Sequence, residues 1–202
     1  MSEAAQFHFD RTADHLALDF ANTVDGRRNN APVERLPDYA ALVRFAREFE
    51  LVTAARATRM LAWAEASPDA ARAVRLTVVK LREALYRLFG AIADGERAGD
   101  ADLALLNEQV ARLRLGADFA WHWADGAQAP DAFLLPIVRA AVELLTGEGR
   151  ARVRRCEADD CGWLIWDTSK NRTRRWCDMK SCGNRMKARR FLARRRSESG
   201  SA

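Results

Sequence analysis

All four cysteines of the chain, Cys156, Cys161, Cys177 and Cys182, fall within 27 residues of one another. They form two pairs, each with four residues between its members, and the pairs stand fifteen residues apart. Zinc takes four tetrahedral ligands about 2.3 Å from sulfur, and two short-spaced cysteine pairs separated by roughly 12–20 residues supply them from two turns of backbone. Two disulfides are the competing arrangement, but a chain held in a reducing compartment keeps its thiols free. With four sulfur ligands the metal has no open position for water, so one structural Zn2+ is expected rather than a catalytic one. Its binding free energy, on the order of 10–16 kcal/mol in small zinc peptides, would fold a segment too short to build a core of its own.

Charge sets the same segment apart. Residues 151–196 carry 15 Lys or Arg against 5 Asp or Glu, while the rest of the chain carries 18 against 23. A basic block beside an acidic domain points to a polyanionic partner for the block. No apolar run of about 18 residues suggests a membrane span, and the N-terminus lacks the pattern of a secretory signal. A cytoplasmic protein without a membrane partner is expected. Abundant Ala and Arg with little Lys fits a bacterial genome of high GC content.

The remaining periodicity is mostly helical. Leu16 to Val24 puts Leu16 and Phe20 on one stripe, and Asp38 opens a helix carrying Leu42, Phe45, Ala46 and Phe49. Thr53 can cap the next helix, and Ser67-Pro68-Asp69 starts a long one that stops at Asp94-Gly95. Asp100–Leu113 and Asp131–Thr146 read as further helices. Phe119 to Asp125 alternates aromatic and small or polar residues and reads as a strand, with Phe7-His8-Phe9 as its expected partner. Gly147–Arg150 reads as a boundary. The fold class expected is mainly α with a small β component: a helical domain over residues 1–147, a four-cysteine module over 150–196 built as a hairpin followed by a helix, and a frayed tail over 197–202.

In the module, Trp163 and Ile165 alternate with Leu164 and Trp166 as a strand does, Asp167 to Arg172 turn the chain, and Arg174 to Trp176 are expected to return as the second strand. Beyond Cys182 no helix breaker interrupts Gly183 to Arg196. On that helix Met186, Phe191 and Ala193 would pack inward, while Arg185, Arg189 and Arg196 form one basic row and Lys187, Arg190 and Arg194 another. The three tryptophans suit a small core around the metal better than base stacking. Cys161-Gly162-Trp163, Asp167, Ser169-Lys170-Asn171, Arg174-Arg175-Trp176-Cys177, Cys182-Gly183-Asn184-Arg185 and Lys187-Ala188-Arg189-Arg190 together resemble the CGNR zinc finger. The Leu16–Thr23 stretch resembles the opening of the helical ABATE domain that precedes that finger in a family of stress-induced transcription regulators. The resemblance implies zinc and a DNA-binding regulator.

Residues expected to contact nucleic acid, double-stranded DNA before RNA, are Arg185, Lys187, Arg189, Arg190 and Arg194 on the helix. Lys170, Asn171, Arg172, Arg174 and Arg175 join them from the hairpin turn. Lys and Arg neutralise phosphates, and Arg can bond bidentately to guanine in the major groove. An RNA- or ribosome-associated protein, or a module docking on an acidic protein, is the alternative. In the helical domain Asp19, Asn22 and Thr23 interrupt an apolar helix, and Arg82 lies on another. They could line a pocket for a small-molecule effector, but packing hydrogen bonds or a helix cap account for them better. That domain could also pair two copies into a homodimer. His8, His15 and His122 show no metal spacing. Neither paired carboxylates, a nucleophile with its base, nor a phosphate-cradling glycine loop stands out, so no enzyme is expected.

Overall fold

The long helix α4, Pro68–Asp94, is the spine of the molecule, and its boundaries follow from local chemistry. Pro68 has no N–H to leave unpaired at the first helical position, and Gly95 closes the other end in the left-handed conformation at φ 72°. Ser67 holds the cap position without a side-chain bond. In this computed structural model, residues 8–199 are described, with side chains through Arg195.

Around α4 lie α1 (Leu16–Ala21), α2 (Tyr39–Glu48), α3 (Ala54–Ala66) and α5 (Asp100–Val110). The helix α6 (Leu134–Thr146) packs on α1 and α5. Asp38 caps α2 by accepting from the Ala41 N–H at 2.7 Å, and Thr53 caps α3 from the Arg56 N–H at 3.3 Å. Phe20, Phe45, Phe89, Leu85, Leu134 and Ile137 are fully buried between these helices. Each such side chain stabilises the fold by roughly 1.5–3 kcal/mol relative to exposure. Short strands β1 (Val24–Asp25) and β2 (Val33–Glu34) pair antiparallel beside α1.

The segment expected as one strand folds differently. Phe119 sits in a turn at φ 59° and is 89% exposed. Only Trp121–Trp123 (β4) is extended, and it pairs antiparallel with Leu113–Leu115 (β3), Leu113 facing Trp123. Of the expected partner, Phe7 lies outside the described residues, and His8 and Phe9 form no strand. A hairpin across a short loop closes at little entropic cost, and here it outcompetes a pairing more than a hundred residues long. Leu113 is therefore strand, not helix. Asp131 likewise precedes α6, where its carboxylate takes the Trp123 indole N–H at 3.1 Å and Arg112 Nη1 at 2.7 Å.

The cysteine module opens with a single 3-10 turn, Glu148–Arg152, and then strand β5, Val153–Arg155. β5 pairs antiparallel with β6, Leu164–Trp166, with Arg155 opposite Leu164. The hairpin partner thus precedes the first cysteine; Arg174–Trp176 is not a strand. Asp167 is why. Its carboxylate accepts from the Ser169 N–H at 3.0 Å and the Arg174 N–H at 3.1 Å, and holds the intervening chain as a closed loop. A π-helical turn, Met179–Gly183, leads into α7, Asn184–Ser199. Residues 197–199 continue that helix, and 200–202 of the expected tail lie outside the described residues.

Strand β6 has two inner faces. Leu164 and Trp166 pack into the core formed by the helices, while Trp163 and Ile165 pack among the cysteines. Val153 joins Leu164 in the helical core, and both are wholly buried. Past Met186, which is buried against the cysteines, no described side chain of α7 is buried. Phe191 and Ala193, expected to face inward, are exposed, Phe191 by 60%.

Candidate metal centre and nucleic-acid face

Cys156 follows β5, Cys161 precedes β6, Cys177 follows the Asp167-tied loop, and Cys182 lies in the π turn. The hairpin is drawn closed at the first pair by the Cys156 N–H donating to the Trp163 carbonyl at 2.7 Å. All four sulfurs lie within 4.8 Å of one another and are buried. Cys161 Sγ is 3.7 Å from Cys177 Sγ, which is 3.5 Å from Cys182 Sγ. A zinc–sulfur distance of about 2.3 Å gives a tetrahedral edge of about 3.8 Å, whereas a disulfide requires about 2.05 Å. The sulfur set therefore fits one structural zinc ion.

Charge agrees with geometry. Hydrogen bonds from Cys161 and Cys177 draw the Cys156 thiol down, while the bonds to Cys156 push Cys161 and Cys177 up. A divalent cation removes that conflict by stabilising every sulfur in its thiolate form. The dianion so formed has polar partners nearby: the Cys177 N–H donates to Cys156 Sγ at 3.4 Å and Arg185 Nη2 to Cys182 Sγ at 3.3 Å. One glycine is required by its backbone and another lies close to a flexible side chain. Gly162 has φ 78°, and a Cβ on Gly183 would lie 2.5 Å from Met179 Sδ.

Asp19, Asn22, Thr23 and Arg82, weighed as a small-molecule pocket and preferred as packing hydrogen bonds, all bond within the molecule. Asn22 Nδ2 donates to the Leu164 carbonyl at 2.7 Å, and its Oδ1 accepts the Leu164 N–H at 2.8 Å. Asp19 Oδ1 accepts the Ala13 N–H at 2.9 Å, and burial pushes the Asp19 carboxyl up to about 7. Thr23 Oγ1 donates to the Phe20 carbonyl at 2.9 Å, and Arg82, 2% exposed, bonds Glu34, Glu83 and Thr23. Further bonds tie the module to the helices. The Trp163 indole donates to the Val24 carbonyl at 2.8 Å, the Trp166 N–H to the Ala13 carbonyl at 2.9 Å, and the Tyr86 hydroxyl to the Gly162 carbonyl at 2.8 Å.

Several of the basic residues bond to acidic or backbone groups of the chain. Arg185 and Arg189 reach back to Asp160 at 2.8 and 3.1 Å, fastening the first turns of α7 to the cysteine turn. Arg174 bonds Asp14 and the Thr12 carbonyl, and Arg175 bonds Glu157 at 2.7 Å. Lys187, Arg190 and Arg194 are exposed along α7, with Arg190 5.8 Å from the Trp176 ring. Lys170, Asn171 and Arg172 are exposed on the loop, Arg172 at φ 52°. Arg196 lies outside the described side chains. Sequence reasoning missed Asp159 and Asp160 as the anchors of the first arginine row. The signal was present as two carboxylates beside Cys161, but only the fold brings them under residues 25 and more positions later.

A mainly helical domain whose core accepts one face of a four-cysteine zinc hairpin defines a zinc-module protein, its exposed basic helix carried at the far end. The chain belongs to the ABATE family, whose model, described as "putative stress-induced transcription regulator", matches residues 14–148; the CGNR zinc finger model matches residues 152–195. No curated protein matches the chain. Among the described residues no helix is long and apolar enough to cross a membrane.

Proposed function

We propose that the chain is a bacterial, cytoplasmic transcription regulator that binds double-stranded DNA through α7 and the loop at 168–173, and that it carries no enzymatic activity of its own. The observation behind this reading is that α7 buries no described side chain after Met186 and continues outward with exposed cationic side chains. Sixteen helical residues span about 24 Å, and a helix fits the roughly 12 Å wide major groove. Arg185 and Arg189, tied to Asp160, set the angle of the helix. Lys187, Arg190 and Arg194, exposed along α7, are candidates for contact, with Lys170, Asn171 and Arg172 on the loop. Most such contacts in DNA complexes go to phosphate and fix register, and few read bases.

The test is a titration against genomic duplex fragments at several salt concentrations. Replacing Lys187 and Arg190 together by Ala should weaken binding and reduce the salt slope by about 2, with zinc content unchanged. An unaltered affinity would move the contact off α7. A steep salt slope without preference for any duplex sequence, or equal affinity for structured RNA, would sink sequence-specific DNA binding.

A further inference from the structure

Four residues of α3, Arg56, Arg59, Met60 and Trp63, stand at i, i+3, i+4 and i+7, so they share one face of the helix. Met60 is buried, Trp63 is partly buried, and Arg59 is exposed. With Tyr39 at the start of α2, and Gln128 and Pro130 of the loop before α6, they line a cavity of about 220 Å³. That volume lies below the roughly 300–1,000 Å³ of drug-sized sites, so the cavity suits a compact ligand built on a single ring.

The bonds that hold its walls leave its charge uncancelled. Arg56 donates to the Ala127 carbonyl and to the Ala129 carbonyl at 2.9 Å, and the Tyr39 hydroxyl donates to the Pro130 carbonyl at 2.7 Å. These acceptors are neutral backbone groups, and the Arg56 guanidinium has N–H donors beyond the two they use. Arg59 makes no hydrogen bond or ion pair with any described residue. Among the described residues no carboxylate lines the cavity, and Asp131, whose charge is felt at Tyr39, is already held by Arg112 at 2.7 Å. Burial lowers the Arg56 guanidinium below its ordinary value, and the neighbouring Arg59 adds to the lowering. An anion bound beside both would relieve that repulsion, and a carboxylate matches the guanidinium fork. Apolar surface lies next to the charge: Met60, Pro130, and the rings of Tyr39 and Trp63, which meet edge to face with centroids 5.4 Å apart.

We propose that this cavity binds a small aromatic monocarboxylate, its carboxylate on Arg59 and Arg56 and its ring against Trp63, Met60 and Pro130. Every lining residue belongs to the helical domain, so the site does not rest on the DNA-binding reading.

Calorimetric titration of the zinc-loaded full chain with benzoate and phenylacetate, beside benzamide, benzylamine and acetate at equal ionic strength, tests it. Saturable one-site binding is expected for the two aromatic acids, with benzamide and acetate weaker by about tenfold or more and no heat from benzylamine. Arg59→Gln should weaken binding of the acids about tenfold or more, as expected for one charge-assisted contact, and Arg59→Glu should abolish it. Arg59→Lys, which keeps the charge, should retain most of the affinity. Position 59 is exposed, and melting temperatures of the three variants establish that they fold. No saturable heat with either aromatic acid, equal affinity for benzamide or acetate, or an affinity unchanged in Arg59→Glu overturns the site.

Discussion

Asn22 bonds with both ends of its carboxamide to the backbone of one residue, Leu164, which is 142 positions away. Replacing it by Ala would leave a buried N–H and a buried carbonyl unpaired, at a cost of about 2–4 kcal/mol, readable as a shift of the urea midpoint. Asp19 makes the opposite prediction. Its folded-state value, about 7, lies above its ordinary 3.8, with burial as the main cause. The folded chain therefore holds a proton that the unfolded chain gives up, and the stability it contributes is full below about pH 3.8 and lost as pH rises to 7. Asp19→Asn should keep the Ala13 bond and raise stability by on the order of 2–4 kcal/mol at pH 8, with no gain at pH 3.5. Equal melting-temperature changes at both pH values would contradict this. The cysteines were legible from sequence because their chemistry is short-range and their spacing is fixed by the metal. The work of Asn22 was not, since nothing near position 22 marks Leu164 as its partner.

At the scale of elements, the alternation of β6 was legible, and its partner was not. Period-two alternation is a property of a strand alone, whereas pairing depends on which neighbour leaves its backbone unsatisfied. Here Asp167 satisfies residues 169 and 174, and β5 is the segment that remains. The helix after Cys182 was read as Gly183 to Arg196 and runs from Asn184 to Ser199, and the inward direction of Phe191 was misread, because a helix pattern cannot show where its support ends. The two faces of β6 predict an uneven response to chelation. Hydrogen exchange after zinc removal should show residues 176–195 losing protection, while the β5 and β6 amides, backed by Val153 and Leu164 in the helical core, exchange several-fold more slowly. Uniform loss beyond residue 150 would mean that the metal alone holds the hairpin.

Across the whole molecule the helices and the zinc module share one core, so the sequence boundary at Gly147–Arg150 is a chain turn through which packing continues on both sides. Charge segregation was readable from the sequence; this continuity was not, because it is carried by single residues on β5 and β6. A fragment starting at Arg150 would bear Val153, Leu164 and Trp166 as an uncovered apolar face, and light scattering should find it self-associating even with zinc bound. Zinc-loaded monomers of such a fragment would show that the face is dispensable. Modular fingers are traded between proteins like beads on a string, each sealed by its own metal. One strand with an allegiance on either side ties this finger to its helices: cut away from them, it would leave half of β6 bare.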